Sequence, residues 1–263
     1  MKTGVIVVTA LALAAWSSAS RAQAGGRVVN CAHRGASGAA PENTLAAFRA
    51  AVDAGADMFE LDVRLTGDGQ MVVIHDDALD RTTDGAGKVS ALTLDEIKKL
   101  DAGAWFDEKF RGERVPTLRE SLEFARGKIR VNIEIKEEGF EEQVVKLVEE
   151  LDMVGGVFVS SFHHDVIRKI KDLNREILTG ALVKVVDAAA LDALVEKYRP
   201  DAINPRYIAV TPAVVKECRR RGLMVFVYTV NEPEMMKRLV RFGVDGVITN
   251  YPEKLKEIIA PDE

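Results

Sequence analysis

The sequence predicts an α/β fold: a closed parallel barrel of eight strands with a β-hairpin extension and a small insertion at the barrel mouth. Short runs rich in β-branched residues alternate with amphipathic helical stretches, the runs number about eight, and polar residues stand where several runs end. The chain has 263 residues, of which 47% are hydrophobic and 29% are charged. This composition is ordinary for a globular protein, so one domain with one large core is expected.

The predicted elements follow from the hydrophobic periodicity and from helix start signals. Barrel strands are expected at 28–32, 58–63, 129–135, 157–161, 177–182, 202–204, 225–229 and 246–249. Helices are expected at 44–54, 117–126, 140–151, 164–173, 188–198, 211–221, 232–241 and 252–259. The expected N-caps are Asn43, Thr211 with Pro212 at the first helical position, and Asn231.

A ninth β-rich run, 71–75, is expected to form a hairpin with the second strand. Only residues 66–70 separate the two, whereas a parallel crossover needs about a dozen residues. An antiparallel hairpin would extend beyond the barrel rim and bring His75 close to Asp62. Residues 77–116 then break the alternating rhythm, and they are predicted to form a small insertion over the barrel mouth.

The N-terminal residues 1–24 have the pattern of a signal peptide. Lys2 precedes an apolar stretch, and Ala22-Gln23-Ala24 suits a cleavage site. Cleavage there would leave a domain of residues 25–263, exported to the periplasm or secreted, with no stable membrane insertion. The alternative is an uncleaved anchor. Cys31 and Cys218 are expected to stay unpaired, because Cys31 should face the barrel interior and Cys218 lies in an outer helix.

The charge balance limits the possible partners. The net charge of -5 argues against a general nucleic-acid binder, because such proteins need a clustered positive surface. A local basic pocket for a small molecule remains compatible with it. The sequence specifies no oligomeric state.

Three carboxylates favour a metal site at the barrel rim. Glu60 and Asp62 lie two residues apart on a predicted strand, so both point into the barrel, and Glu134 lies on the neighbouring strand. Like charges buried together are costly unless a cation lies between them. All-oxygen ligands favour one divalent cation, Mg²⁺ or Ca²⁺. The alternative is a pair of solvated carboxylates at a strand end.

Two histidines and two cations stand at the same rim. His33 and His75 each end an apolar run, and together they suit an acid and base pair, although either alone would be typical of a structural histidine. Arg34 and Lys136 could bind phosphate oxygens. The alternative for both is an ion pair with the carboxylates.

Together, the motifs of this chain resemble those of the glycerophosphodiester phosphodiesterase family. The resemblance covers nearly all of the chain after the N-terminal segment, and the ordered set is far more specific than any single motif. The motifs are His33-Arg34-Gly35-Ala36-Ser37-Gly38, Pro41-Glu42-Asn43-Thr44, Glu60-Leu61-Asp62-Val63, His75-Asp76, Asn132-Ile133-Glu134-Ile135-Lys136, Tyr228-Thr229-Val230-Asn231 and Asp245-Gly246-Val247-Ile248-Thr249-Asn250-Tyr251-Pro252.

The resemblance implies a TIM (β/α)8 barrel in which Glu60, Asp62 and Glu134 bind the metal. It implies that His33 and His75 are the general acid and base. The implied reaction is hydrolysis of a glycerophosphodiester to sn-glycerol 3-phosphate and an alcohol. In it the glycerol 2-hydroxyl attacks phosphorus, and water then opens the cyclic phosphate.

Substrate preference is the least determined part of this hypothesis. Tyr228 stands where many family members carry tryptophan, and Phe162 and Tyr228 are expected to wall the substrate pocket, with core packing as the alternative. A lysophospholipase D would need an apolar groove through residues 104–110. A barrel that only binds phosphodiesters predicts the loss of a histidine or a metal ligand, and the sequence retains all of them.

Overall fold

The computed structural model describes residues 27–260, so the predicted signal peptide lies outside the described residues. Within this range, nine strands and nine α-helices form the fold. The strands are β1 Val29–Ala32, β2 Met58–Leu65, β3 Met71–Val73, β4 Arg130–Ile135, β5 Val157–Ser161, β6 Leu178–Val183, β7 Ala202–Pro205, β8 Met224–Val227 and β9 Gly246–Thr249. The helices are α1 Leu45–Asp53, α2 Leu94–Ile97, α3 Leu118–Ala125, α4 Glu141–Glu150, α5 His164–Leu173, α6 Ala188–Tyr198, α7 Pro212–Arg220, α8 Pro233–Phe242 and α9 Pro252–Ile259.

Eight parallel strands close into a barrel. The hydrogen-bonded order is β1-β9-β8-β7-β6-β5-β4-β2-β3, and β1 also pairs with β2, which closes the ring. Only β3 runs antiparallel, against β2, among the strand pairs of the described chain. The predicted barrel is confirmed, and the carboxyl ends of its strands meet at one rim.

The hairpin has the predicted register. Val63 pairs with Val73, and the Ile74 amide donates a hydrogen bond to the Asp62 carbonyl at 2.9 Å. His75 is therefore one residue beyond the partner of Asp62, as the short turn required. Residues 77–116 pack against this hairpin around a small hydrophobic core that the two share. That core consists of Val72, Ile74, Leu79, Val89, Ile97, Ala102 and Val115.

The amino-terminal half of the barrel interior is packed with apolar side chains. Phe158 and Phe226 stack there with ring centroids 5.4 Å apart. A Cβ at Gly180 would come within 2.5 Å of the Phe158 ring, and one at Gly246 within 2.3 Å of the Phe226 ring, so both glycines make room for the aromatics. Cys31 belongs to the same buried cluster, and both cysteines of the described range are buried and unpaired, as expected.

Three aspartates fasten the amino-terminal rim of the barrel. Asp57, Asp201 and Asp245 each directly precede a strand, and each carboxylate accepts the backbone N–H of a residue on the neighbouring strand, at 2.8–2.9 Å. The N–H of each aspartate donates back to the carbonyl of that same residue. These two-way pairs align the strand starts, since buried backbone groups must find partners.

Two of the expected helix caps are wrong. Thr44, not Asn43, caps α1 by accepting the Ala47 N–H, and Asn43 instead has a positive φ of 58° and contacts Asp62. Helix α8 begins after Glu232 without a side-chain cap, because the Asn231 side chain accepts the Asn250 N–H. Thr211 caps α7 as expected. Both asparagines serve the barrel rim rather than a helix end.

The helices of the described region are too short or too polar to cross a bilayer.

Candidate active site

Strands β2 and β4 bring the three predicted carboxylates together. Asp62 and Glu134 are direct partners in the parallel pairing of these strands, and Glu60 lies one inward position below. Glu60, Asp62 and Glu134 each offer an oxygen within 4.8 Å of the others. Glu60 and Asp62 are buried, whereas a pair of solvated carboxylates would be exposed. The geometry matches the grouping that the sequence predicts.

The electrostatics of this cluster disfavour the charged forms of two of its three carboxylates, Glu60 and Glu134. Burial, together with repulsion from Asp62 and Glu134, raises the pKa of Glu60 well above its usual range. Burial and Asp62 also raise the pKa of Glu134 to about 7. Glu60 Oε1 is buried and finds no hydrogen-bond donor among residues 27–260. A divalent cation fits this donor set, because hard cations bind several carboxylate oxygens and would relieve the repulsion.

Asp62 is the carboxylate that stays ionised. Burial raises its pKa, but the attraction of Lys136 and Arg34 prevails and lowers the pKa to about 2. Lys136 Nζ lies 3.2 Å and Arg34 Nε 3.4 Å from its oxygens. Asn43 binds Asp62 on two sides, donating to its carboxylate at 2.8 Å and accepting its backbone N–H at 3.2 Å. The Asn43 side chain therefore orients the carboxylate.

His33 stands at the carboxyl end of β1 with its ring held by an amide. Its Nδ1 lies 2.7 Å from Asn250 Oδ1, and since that oxygen can only accept, Nδ1 carries the proton. Burial and the neighbouring Arg34 lower the pKa of His33 to about 4. The imidazole is therefore neutral at physiological pH, with Nε2 as its unprotonated nitrogen.

His75 follows β3 and is held by a carboxylate instead. Its Nδ1 donates to Asp76 Oδ1 at 2.6 Å, which again leaves Nε2 unprotonated in the neutral ring. The other oxygen of Asp76 accepts Arg81 Nε at 2.6 Å. Burial lowers the pKa of His75, although the charge of Asp62 opposes this. The hairpin thus delivers the second histidine to the rim, as predicted.

Arg34 leaves β1 through a tight turn. Arg34 and Gly35 both have positive φ values, 56° and 80°, and a Cβ at Gly35 would lie 2.6 Å from the Ala47 backbone. The Arg34 backbone N–H donates to Glu60 Oε2 at 2.8 Å, and its guanidinium donates to Glu42 at 2.7 Å. The turn therefore supports a carboxylate and places a guanidinium beside it.

Lys136 follows β4 and reaches back to the carboxylates. Its Nζ lies 2.5 Å from Glu134 and 3.2 Å from Asp62. Arg34 and Lys136 therefore make the ion pairs with the carboxylates that the sequence predicts as their alternative role, and both lie at the carboxyl-terminal rim.

Phe162 and Tyr228 meet at the carboxyl ends of β5 and β8. Their ring centroids are 6.0 Å apart with the planes at 88°, and Tyr228 Oη donates to the Val183 carbonyl at 3.1 Å. Burial and the charge of Glu134 raise the pKa of Tyr228 to about 12. Phe162 is 42% exposed, so it is not a core residue. The pair forms an aromatic wall beside the carboxylates.

The second pair of histidines has no part in this cluster. His164 begins α5, as expected for the helix at 164–173, and His163 directly precedes it. His164 Nε2 lies 2.9 Å from the Leu182 carbonyl, which is a structural hydrogen bond, and His163 faces Glu138 at 3.4 Å.

Four further side chains at the rim support the site, although the sequence patterns assign none of them a role there. Asn43 and Asn250 orient Asp62 and His33, while Glu42 and Arg81 join Arg34 to Asp76. Asn43, Glu42 and Asn250 lie within the quoted motifs, and that was the signal available. Arg81 lies in the insertion, where nothing in the local pattern marks it.

The comparison with protein families identifies the family to which the fold belongs. A model described as the glycerophosphoryl diester phosphodiesterase family matches residues 33–254, which include every residue of the cluster. The chain belongs to this family. As a member, it is an enzyme of the phosphoric diester hydrolase class.

Relatives of known name agree with this assignment. A glycerophosphodiester phosphodiesterase of Caldanaerobacter subterraneus is 44% identical over 236 residues, covering 87% of this chain and 96% of the relative. A crystal structure of an Agrobacterium tumefaciens glycerophosphodiester phosphodiesterase is 33% identical, with a TM-score of 0.79, and covers 88% of this chain and 100% of that one. An Oleispira antarctica phosphodiesterase, solved in complex with the product sn-glycerol-3-phosphate, is 33% identical with a TM-score of 0.81. It covers 90% of this chain and 97% of its own.

Proposed function

We propose that this chain hydrolyses glycerophosphodiesters to sn-glycerol 3-phosphate and an alcohol, with the help of a divalent cation held by Glu60, Asp62 and Glu134. The observation that carries the proposal is the carboxylate triad, in which Glu60 and Asp62 are buried and Glu60 Oε1 has no donor among the described residues, beside two histidines held through Nδ1. Family membership supports it independently.

The cation is Mg²⁺ or Ca²⁺ in this proposal. Three carboxylates without sulfur or imidazole ligands match the preference of these hard cations. When bound, such a cation supplies Lewis-acid stabilisation of the negative charge that develops on the phosphoryl oxygens.

The two histidines divide the proton transfers. His33 is neutral and has an amide partner, so its Nε2 is suited to accept the proton of the glycerol 2-hydroxyl. His75 has the carboxylate of Asp76 as its partner, and that negative charge stabilises an imidazolium. In that imidazolium form Nε2 also carries a proton, and His75 is then suited to donate this proton to the leaving alcohol. Water then opens the cyclic phosphate with the two roles reversed.

Arg34 and Lys136 bind the phosphate in this proposal. The Arg34 guanidinium can bind two phosphate oxygens at once. The flexible side chain of Lys136 lets its ammonium turn from the carboxylates toward a third phosphate oxygen. Phe162 and Tyr228 form the apolar wall for the glycerol or alcohol group, since their rings contact each other and Phe162 is partly exposed to solvent.

A water-soluble substrate suits the rim better than a lysophospholipid. The aromatic side chains of residues 104–110 contact one another, with Trp105 and Phe110 each 5.7 Å from Phe106. Phe110 also packs against a buried alanine cluster around Ala47. The side chains that would line an acyl groove are thus engaged with each other, which supports substrates such as glycerophosphocholine.

The proposed cellular setting is outside the cytoplasm. It rests on the signal-peptide pattern of residues 1–24, with residues 25–263 as the mature domain in the periplasm or secreted. Mass spectrometry of the N-terminus after expression in a bacterial host tests it. Recovery of a chain that still begins at Met1 would favour the anchor.

The test of the function is release of sn-glycerol 3-phosphate from glycerophosphocholine. The protein is assayed after EDTA treatment, and then with Mg²⁺ or Ca²⁺ restored. Activity is expected to disappear with EDTA and to return when the correct cation is restored. The cation that restores more activity is then identified as the cofactor. Activity that persists in EDTA would contradict the metal site. Activity on lysophosphatidylcholine alone would favour a lysophospholipase D.

A further inference from the structure

A continuous chain of charged contacts joins the two ends of the proposed catalytic apparatus. It begins at His75 and passes through Asp76, Arg81 and Glu42 to Arg34, with each contact between 2.6 and 2.8 Å. Arg81 is its central member and the one contributed by the insertion. The function proposed above assigns no role to Arg81 or Glu42.

The guanidinium of Arg81 is used on all three nitrogens. Its Nε donates to Asp76 Oδ2 at 2.6 Å, while its two terminal nitrogens donate to the two oxygens of Glu42 at 2.8 Å each. A planar fork can hold two carboxylates in one fixed relation, which a lysine ammonium cannot do. The geometry is therefore specific to arginine.

The backbone that carries Arg81 is itself firmly held. Leu79 is fully buried in the small core of the insertion, and the Thr83 N–H and hydroxyl both bond to the Leu79 carbonyl, at 3.1 and 2.8 Å. Thr82 and Thr83 are also buried. The Arg81 side chain is 44% exposed, so it leaves a rigid turn and crosses open surface to reach its partners.

The contacts of Arg81 constrain two residues of the proposed active site, His75 and Arg34, through Asp76 and Glu42. Because Asp76 Oδ2 is engaged by Arg81, Oδ1 is left to accept the His75 Nδ1–H, which keeps the ring in one tautomer with Nε2 toward the site. Arg81 donates hydrogen bonds to both oxygens of Glu42, which orients that carboxylate. Glu42 Oε1 also accepts a hydrogen bond from the Arg34 guanidinium and so holds it at the rim. The pKa of Asp76 lies well below its usual range, chiefly because of the Arg81 hydrogen bond.

We infer that Arg81 is a positioning residue that couples the insertion to catalysis: through Asp76 it fixes the tautomer of His75, and through Glu42 it fixes the guanidinium of Arg34. This inference rests on the proposed function for its catalytic consequence. The structural half, the His75 tautomer, stands on the contacts alone. Arg81 touches neither substrate nor the reacting atoms, so its effect passes through its two partners.

The test compares Arg81→Met with Arg111→Met. Arg111 is also an insertion arginine, and it pairs only with the exposed Glu108 in the described structure. Arg81→Met should lower kcat on glycerophosphocholine by about 10- to 100-fold, the usual loss when the partner of a site histidine is released. KM should rise as well, through Arg34. Arg111→Met should leave both constants within about twofold, and the melting temperatures of the two variants should agree.

A second readout does not depend on turnover. The chain has four histidines, so ¹⁵N-histidine labelling gives a simple spectrum, in which His75→Asn identifies the His75 signals. The wild type should show the tautomer protonated at Nδ1, and Arg81→Met should show a mixture. Arg81→Lys, which keeps the charge but not the fork, should give a smaller change in the same direction.

Two outcomes separate the inference from the function. A His75 spectrum unchanged in both Arg81 variants would overturn the inference, whether or not the enzyme is active. A wild-type protein with no phosphodiesterase activity would overturn the proposed function, while a tautomer change in Arg81→Met would still support the role of Arg81 in positioning His75.

Discussion

The two rims of the barrel use carboxylates in opposite ways. At the amino-terminal rim, Asp57, Asp201 and Asp245 each accept a backbone N–H of the neighbouring strand. At the carboxyl-terminal rim, Glu60 and Glu134 face each other and Asp62, and their pKa values are raised by burial and by that repulsion. The first set aligns strands, and the second crowds like charges together at the candidate active site.

The difference shows how a barrel separates stability from chemistry. At the amino-terminal rim, each of the three carboxylates accepts a hydrogen bond from a backbone N–H of the sheet itself, so each has a donor without any ligand. The carboxylates at the other rim point into the barrel, where their donors come from Arg34, Asn43 and Lys136, and Glu60 Oε1 has no donor within the described residues. Stability should therefore respond to changes at one rim and activity to changes at the other.

The largest effect is expected for Glu60→Gln. It removes a proposed cation ligand, and activity on glycerophosphocholine should fall at least about 100-fold. It also removes a buried charge that repels two others, so the thermal midpoint in EDTA should stay the same or rise. Steady-state kinetics and a thermal melt measure the two results. A marked drop in the midpoint with activity retained would reverse the assignment of this rim.

The next effect is expected for His33→Ala, compared with His163→Ala. Loss of a general base should lower kcat by about 10²- to 10⁴-fold. Binding of sn-glycerol 3-phosphate, measured by calorimetry, should persist because the phosphate ligands remain. His163 is half-exposed and starts a helix, so its substitution should change kcat little. Full activity of His33→Ala would remove this histidine from the mechanism.

At the amino rim, Asp201→Ala should destabilise the fold without changing catalysis. Asp201 accepts the Thr179 N–H at 2.8 Å and pairs with the nearly buried Lys171 at 2.5 Å. Removing one partner of a buried pair costs about 3 kcal/mol. Urea denaturation should show the loss, while kcat stays at the wild-type value. Asp192→Ala, which removes an exposed carboxylate that pairs with Arg221, should cost less than about 1 kcal/mol.

The smallest effect is expected for Asp245→Asn, and it depends on pH. Burial raises the pKa of Asp245 above its ordinary value of 3.8, so the folded state favours the protonated form. The stability that the carboxyl contributes is present below 3.8 and is lost as the pH rises through the raised pKa. The neutral amide still offers an oxygen to the Val225 N–H. Asp245→Asn should therefore gain less than about 1 kcal/mol at pH 7.

Denaturation curves at two pH values check this sign. The gain of Asp245→Asn over the wild type should shrink as the pH is lowered, because the wild-type carboxyl then becomes protonated as well. A gain that grows at low pH would mean that the ionised carboxylate of Asp245 stabilises the fold and that its burial is compensated.

The sequence predicted the barrel elements because their periodicity is local. Strand β6 was expected at 177–182 and lies at Leu178–Val183, and the hairpin register followed from the length of a five-residue connection. The side chains that support the site were harder to assign. Asparagine is a common helix-capping residue, and Asn43 and Asn231 each stand just before a helix. Only their neighbours in the folded structure show that they form hydrogen bonds across the rim instead.

The sequence by itself determined the order of strands and helices, the inward parity of Glu60, Asp62 and Glu134, and the family, since these depend on spacing along the chain. Tertiary structure alone decided which oxygens crowd together, which backbone groups the amino-rim aspartates hold, and that Arg81 bridges Asp76 and Glu42. The reason is physical: periodicity specifies the direction of a side chain, whereas its partner depends on residues brought close by folding.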